Sequence, residues 1–190
     1  MAKTFSTMAE LGSQAPYFSL PNYNSAVLDD EITFSGLTTQ KGLLLAFICN
    51  HCPYVVKIAQ TMATVLNKAQ QEGLMVVAIN ANDIENYPAD SPENMRHFAQ
   101  QYGFEFPYLF DATQEVAKAY DAVCTPDFFL YQHTTELVYR GRFDAATPGN
   151  NMPSTGQALQ EAIDNVVAEK PPVQEQLASM GCNIKWLAVS

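Results

Sequence analysis

The sequence predicts an α/β protein with a central mixed sheet flanked by helices. Three observations point there. The runs LLLAFI at 43–48 and LMVVAIN at 74–80 are short and continuously apolar, which suits strands buried on both faces. Between them Val55, Ile58, Met62, Val65 and Leu66 recur at helical spacing, completing a strand, helix, parallel-strand unit. DFFLYQ at 127–132 and LVYRGRF at 137–143 flank a polar turn and read as an antiparallel hairpin.

The other elements follow in chain order. Residues 1–35 exceed a minimal core, and APYFSLPNYNS within them suggests a small β-hairpin. NDIENYPADSP at 82–92 reads as an exposed acidic loop. It leads into a helix with Ser91 as N-cap, Pro92 at the first helical position and Gly103 at the end. Leu159, Ala162, Ile163, Val166 and Val167 mark a last amphipathic helix, with Ser154 and Gln157 in capping-box spacing. The double proline of KPPV at 170–173 ends it. GCNIKWLAVS then carries enough apolar surface, including the only tryptophan, to pack back on the domain. The expected organisation is one domain over 1–168, N-terminal extension included, and a C-terminal tail over 169–190.

Composition narrows the function. At 190 residues and 47% hydrophobic, the chain can bury a full core without disulfides. The N-terminus has no apolar h-region, and no run of about 18 apolar residues occurs, so a cytoplasmic protein is expected. There thiols stay reduced, and Cys49, Cys52, Cys124 and Cys182 are not a secreted disulfide framework. A net charge of -10 argues against nucleic-acid and membrane partners, since phosphate contacts need clustered Lys and Arg.

The chemistry concentrates in FICNHCPYV at 47–55. A strand ending near Ile48 and a helix opened by Pro53 place CNHC on a crossover turn at the carboxyl end of the strand, where open α/β sheets put reactive groups. Cys52 falls at the helix N-cap, facing free N–H groups and the positive end of the dipole, which favour thiolate. Cys52 is the expected nucleophile and Cys49 the first choice of resolving thiol, against the plainer reading of Cys49 as a packed apolar residue. His51 either serves the thiols in proton transfer or faces solvent. Lys57 reads as an exposed lysine.

LGSQAPYFSLP at 11–21 resembles the N-terminal signature of the alkyl hydroperoxide reductase and thiol-specific antioxidant family. CNHCPYV, FPYLFDATQEVAKAY, CTPDFFLY, LVYRGRFD and GCNIKW together resemble its peroxiredoxin-like bacterial branch. The resemblance covers about residues 8 to 187 and implies a thioredoxin-like fold. It puts Cys52 and Pro53 in the place of the peroxidatic cysteine and its proline, and Thr125–Pro126 in that of the cis-proline loop facing it. Cys124 then lies close to the site. Where peroxiredoxins carry a proline and a threonine or serine before the peroxidatic cysteine, this chain has Leu45 and Cys49. No arginine stands at the start of DFFLY, and Val55 replaces thioredoxin's second cysteine.

These departures imply a weak peroxidase and a better thiol–disulfide oxidoreductase. Cys52 would attack a protein disulfide or small hydroperoxide, a second cysteine would resolve, and a thiol reductant would close the cycle without a cofactor. Cys182 reads as a structural cysteine beside Trp186, with a resolving role as the alternative. Two other functions stay open: a zinc or copper(I) site on Cys49, His51 and Cys52, completed by Cys124 or Cys182, and a non-catalytic scaffold binding a partner through the acidic loop.

Overall fold

The computed structural model describes residues 3–36 and 40–188. In chain order the strands are β1 (Lys3–Phe5), β2 (Phe18–Pro21), β3 (Glu31–Phe34), β4 (Gly42–Phe47), β5 (Leu74–Asn80), β6 (Tyr108–Phe110), β7 (Cys124–Thr125), β8 (Asp127–Gln132), β9 (Leu137–Gly141) and β10 (Met180–Asn183). The helices are α1 (Pro53–Gln71), α2 (Pro92–Tyr102), α3 (Glu115–Ala119) and α4 (Gln157–Val167).

The main sheet runs β6-β5-β4-β8-β9, with β4, β5 and β6 parallel and β8 and β9 antiparallel. Its central strand explains the unbroken apolar run. Leu44, Ala46 and Ile48 enter the core shared with α1, α2 and α4, while Leu43, Leu45 and Phe47 enter the one under β2, β3 and α3. The period of two across a strand covered on both faces leaves no position for a polar side chain.

The β2–β3 hairpin forms a separate two-stranded sheet. The third sheet, β1-β10-β7, is antiparallel and joins both ends of the described chain to the segment before β8. No helix among the described residues is long and apolar enough to cross a membrane.

Helix ends show which local signals prevail. Ser91 Oγ accepts the N–H of Asn94, and Gly103 closes α2 in the left-handed region at φ 69°. The capping box at α4 does not form. That helix starts after Gly156, and Asp144 Oδ2 accepts the N–H groups of Thr155 (2.7 Å) and Gly156 (2.9 Å) and the hydroxyl of Ser154 (3.0 Å). A carboxylate is the stronger acceptor and suits the positive helix end, so it takes the role predicted for Ser154.

The acidic loop also differs from expectation. Only residues 85–89 are exposed, while Asn82, Asp83 and Asp90 are buried. Asp90 is fully enclosed because four donors meet its carboxylate: the Asn50 N–H (2.8 Å), the His51 N–H (3.3 Å), Asn82 Nδ2 (2.8 Å) and His51 Nδ1 (2.6 Å). The loop turns Asp90 inward and keeps Glu85 at the surface.

Candidate active site

Beyond β4 the backbone stays in the sheet for one more hydrogen bond, Ile48 N–H to Ile79 O at 3.0 Å, and then turns through residues 49–51. Cys52 is the N-cap of α1, with φ −67° and ψ 120° and Pro53 directly after it. Proline fixes the helix start there and has no N–H to orphan. The Cys52 side chain makes no capping hydrogen bond, but the Val55 N–H, one of the free donors of the first turn, lies near enough to favour its thiolate.

The opposite wall comes from distant parts of the chain. Thr125–Pro126 is a cis peptide bond, and the Thr125 carbonyl lies 3.2 Å from Cys52 Sγ. Cys182, paired with Thr125 in the β10–β7 register, brings its sulfur to 2.9 Å from Cys52 Sγ. On the near side, Cys49 lies close enough to Cys52 for the two thiols to shift each other's titration, and its sulfur lies 3.4 Å from Thr125 Oγ1. Three buried free thiols thus meet around one helix terminus. Cys182, read from the sequence as a structural cysteine beside Trp186, is at the centre; Trp186 is 39% exposed.

The negative charge of this cluster settles on Cys52. Hydrogen bonds from Cys49, then from Cys182 and the Val55 N–H, lower its thiol to about 5 against the opposing effect of burial. Cys49 is pushed well up, first by its bond to Cys52, then by burial and the Asp90 charge. Burial and the neighbouring Cys52 push Cys182 up to about 12. The Thr125 carbonyl favours the thiol form, so the lowering rests on S–H and N–H donors outweighing both that dipole and burial. One thiolate flanked by two protonated thiols is an arrangement suited to exchange: the nucleophile is charged and its partners retain their protons.

His51 does not join the thiol pair. Its Nδ1 is held by Asp90 Oδ2, and its ring stacks on Tyr87 at 5.8 Å between centroids. The donor atoms that converge, within 4.8 Å of one another, belong to Cys49, His51 and Asp90, not to Cys49, His51 and Cys52 as the metal reading required. The helix start turns Cys52 toward β10, and Asp90 holds the imidazole on the other side of the turn. Asp90 is the residue at this turn that the sequence did not single out; its partners Asn50 and His51 lie about 40 positions away.

Cys124 is buried beside the site but faces elsewhere, with its sulfur 4.0 Å from the Pro126 carbonyl. Successive strand residues point to opposite faces, so Thr125 and Cys124 cannot both meet Cys52. Burial, chiefly, raises the Cys124 thiol. Arg140 approaches the start of β8 from β9, but it is engaged by Asp127 Oδ2 (3.2 Å) and the Asp121 carbonyl (2.6 Å) and covers the Phe129 ring. It therefore does not supply the cation missing from DFFLY. Lys57 is exposed.

Gly181 is what lets β10 reach the site. A Cβ there would stand 1.9 Å from the Thr125 carbonyl oxygen, a backbone atom that cannot swing away. Gly181→Ala is expected to cost about 1–3 kcal/mol in urea unfolding, the scale of core overpacking. It should also expose Cys182 to alkylation in the native state. Unchanged stability and a still-protected Cys182 would contradict this account of the strand.

The chain belongs to the AhpC/TSA family, which it matches over residues 11–143. Over the whole chain it is similar to an uncharacterized conserved protein from Geobacillus kaustophilus: 41% identity, TM-score 0.94, covering 100% of this chain and 99% of that one. It is 26% identical over 132 residues to the thiol-disulfide oxidoreductase ResA of Halalkalibacterium halodurans, covering 70% of this chain and 68% of that protein. A thioredoxin-family thiol:disulfide interchange protein from Chlorobium tepidum shares the fold alone, at TM-score 0.60 and 14% identity over 85% of this chain and 99% of that one. The architecture is thioredoxin-like.

Proposed function

We propose that this protein is a thiol–disulfide oxidoreductase in which Cys52 is the attacking thiolate and Cys182 the resolving thiol. The observation that carries the reading is the helix-start sulfur of Cys52 with a second sulfur 2.9 Å away. Cys49, first choice from the sequence, is the alternative resolving thiol, and its contact with Thr125 gives it a defined place beside the pair. The likeness to ResA supports the exchange chemistry. Peroxide reduction is a weaker expectation, since Arg140 is paired with Asp127 and the hydroxyl nearest the thiols, that of Thr125, contacts Cys49. A thiol-reducing, cytosolic setting is part of the proposal, supported by cysteines scattered at positions 49, 52, 124 and 182.

Disulfide mapping by mass spectrometry tests it. The reduced protein is treated with one equivalent of a disulfide oxidant, and remaining thiols are alkylated. A Cys52–Cys182 bond is the expected product, whereas a Cys52–Cys49 bond would move the resolving role to Cys49. If Cys52 remained fully alkylatable while oxidant was consumed, the assignment of the nucleophile would be wrong.

A further inference from the structure

We infer that the substrate is a small organic disulfide carrying a carboxylate, and that protein disulfides are excluded. This deepens the oxidoreductase reading and rests on it. The first observation is steric. The edge of β7 that leads into Pro126 is occupied by β10, which is itself paired with β1 on its other side. Gly181 seats β10 against the Thr125 carbonyl so closely that no Cβ fits between them. An extended polypeptide therefore finds no free strand edge beside Cys52 on which to pair.

The second observation is a cavity of about 210 Å³ whose wall includes Tyr54, Pro126 and Met180. Each comes from one of the three segments that hold Cys52 and Cys182: the start of α1, the Thr125–Pro126 turn and β10. Ile58 and Phe143 make the cavity apolar on one side. The volume falls below the roughly 300–1,000 Å³ of sites for drug-sized ligands, so it suits one short substituent. A larger cavity of about 370 Å³ opens at the opposite end of the sheet, beside Lys41 and His133, and touches none of these segments.

The third observation is charge. Arg142 also lines the 210 Å³ cavity, and its Nε is buried without a hydrogen-bond partner among the described residues. No carboxylate among them forms an ion pair with its guanidinium. Asp144, on the same cavity, is taken up by the Ala146, Thr155 and Gly156 N–H groups and the Ser154 hydroxyl. A cavity with one apolar wall and, on its polar side, a guanidinium that no carboxylate among the described residues pairs fits a substituent of a few methylenes ending in a carboxylate.

Both sulfurs are buried and neither lines the cavity, so the reaction requires a movement that opens the way to them; the unbranched Met180, on the cavity wall and two residues from Cys182, is the side chain we assign to it. The Cys52 thiolate attacks one sulfur of R–S–S–R′, forming Cys52–S–S–R and releasing R′–S⁻, which takes the proton of Cys182. The Cys182 thiolate attacks the Cys52 sulfur, forming Cys52–S–S–Cys182 and releasing R–S⁻, which takes a proton from water. The substrate gains two electrons and leaves as two thiols, and the protein dithiol is oxidised.

The test measures how fast the reduced protein forms its intramolecular disulfide with 3,3′-dithiodipropionate, with neutral 2-hydroxyethyl disulfide and with insulin, each normalised to its rate with free cysteine. The dicarboxylate should react roughly tenfold faster than the neutral disulfide, and Arg142→Ala should abolish that preference, bringing the ratio of the two rates to about one. Insulin should react more slowly than either. Equal rates for the two small disulfides, or an insulin rate matching theirs, would overturn the substrate assignment and leave the oxidoreductase reading standing. Failure of all three to oxidise Cys52 would overturn both.

Discussion

Cys52→Ser is expected to lower disulfide exchange by on the order of a thousandfold or more, the scale of losing a covalent nucleophile. Serine is close in size and is itself a favoured N-cap residue, so the fold should survive. The reactivity does not, because an alcohol is not ionised near neutral pH and does not attack sulfur. The neighbouring variants should separate the steps. Cys182→Ser keeps the first attack and should accumulate a mixed disulfide on Cys52, detectable as the added mass of half the substrate. Cys49→Ser should complete the cycle. A Cys52→Ser protein as active as the parent would end the proposed mechanism.

The second large effect is in pH. Cys52 lies at about 5, against about 8.5 for an unperturbed cysteine. The ultraviolet absorbance of thiolate, taken as the difference between the parent and Cys52→Ser, should rise with a midpoint near 5 and be level by pH 7. An unperturbed thiol at pH 7 would be only a few per cent ionised. The same shift links to stability. A group whose folded value is depressed stabilises the protein fully above its unfolded value of about 8.5, and the contribution is lost as pH falls toward about 5. The unfolding free-energy gap between the parent and Cys52→Ser should therefore shrink from pH 8.5 to pH 5. Cys182, pushed up to about 12, acts in the opposite sense only above about 8.5. A midpoint near 8.5 in the difference spectrum would contradict the charge distribution of the thiol cluster.

The sequence carried the parts of this site that depend on neighbours in the chain. Pro53 marks the helix start, so the cap position of Cys52 was legible, as were Ser91 and Gly103 at the ends of α2. The central strands were legible because burial on both faces leaves an unbroken apolar run. What escaped depends on contacts across the fold. Asp144 caps α4 from a preceding loop, Asp90 reaches the turn from 40 residues beyond Asn50, and Cys182 meets Cys52 across 130 positions. Acidic residues in a run score as solvated, and a tail cysteine near a tryptophan scores as packing. The resemblance to peroxiredoxins located Thr125–Pro126 and put Cys124 beside the site, while strand alternation turns its sulfur away from Cys52.

The 130-residue separation between Cys52 and Cys182 also orders events in time. At about 5–20 residues per second, ribosomes release Cys52 on the order of ten seconds before its partner sulfur is made. Throughout that interval the nascent chain holds Cys49 and Cys52 with no β10 above them. Until Cys124 is made, oxidation during synthesis can join only those two, and until Cys182 is made it cannot form the Cys52–Cys182 pair. The last strand to be translated is thus the one that brings the second sulfur to Cys52.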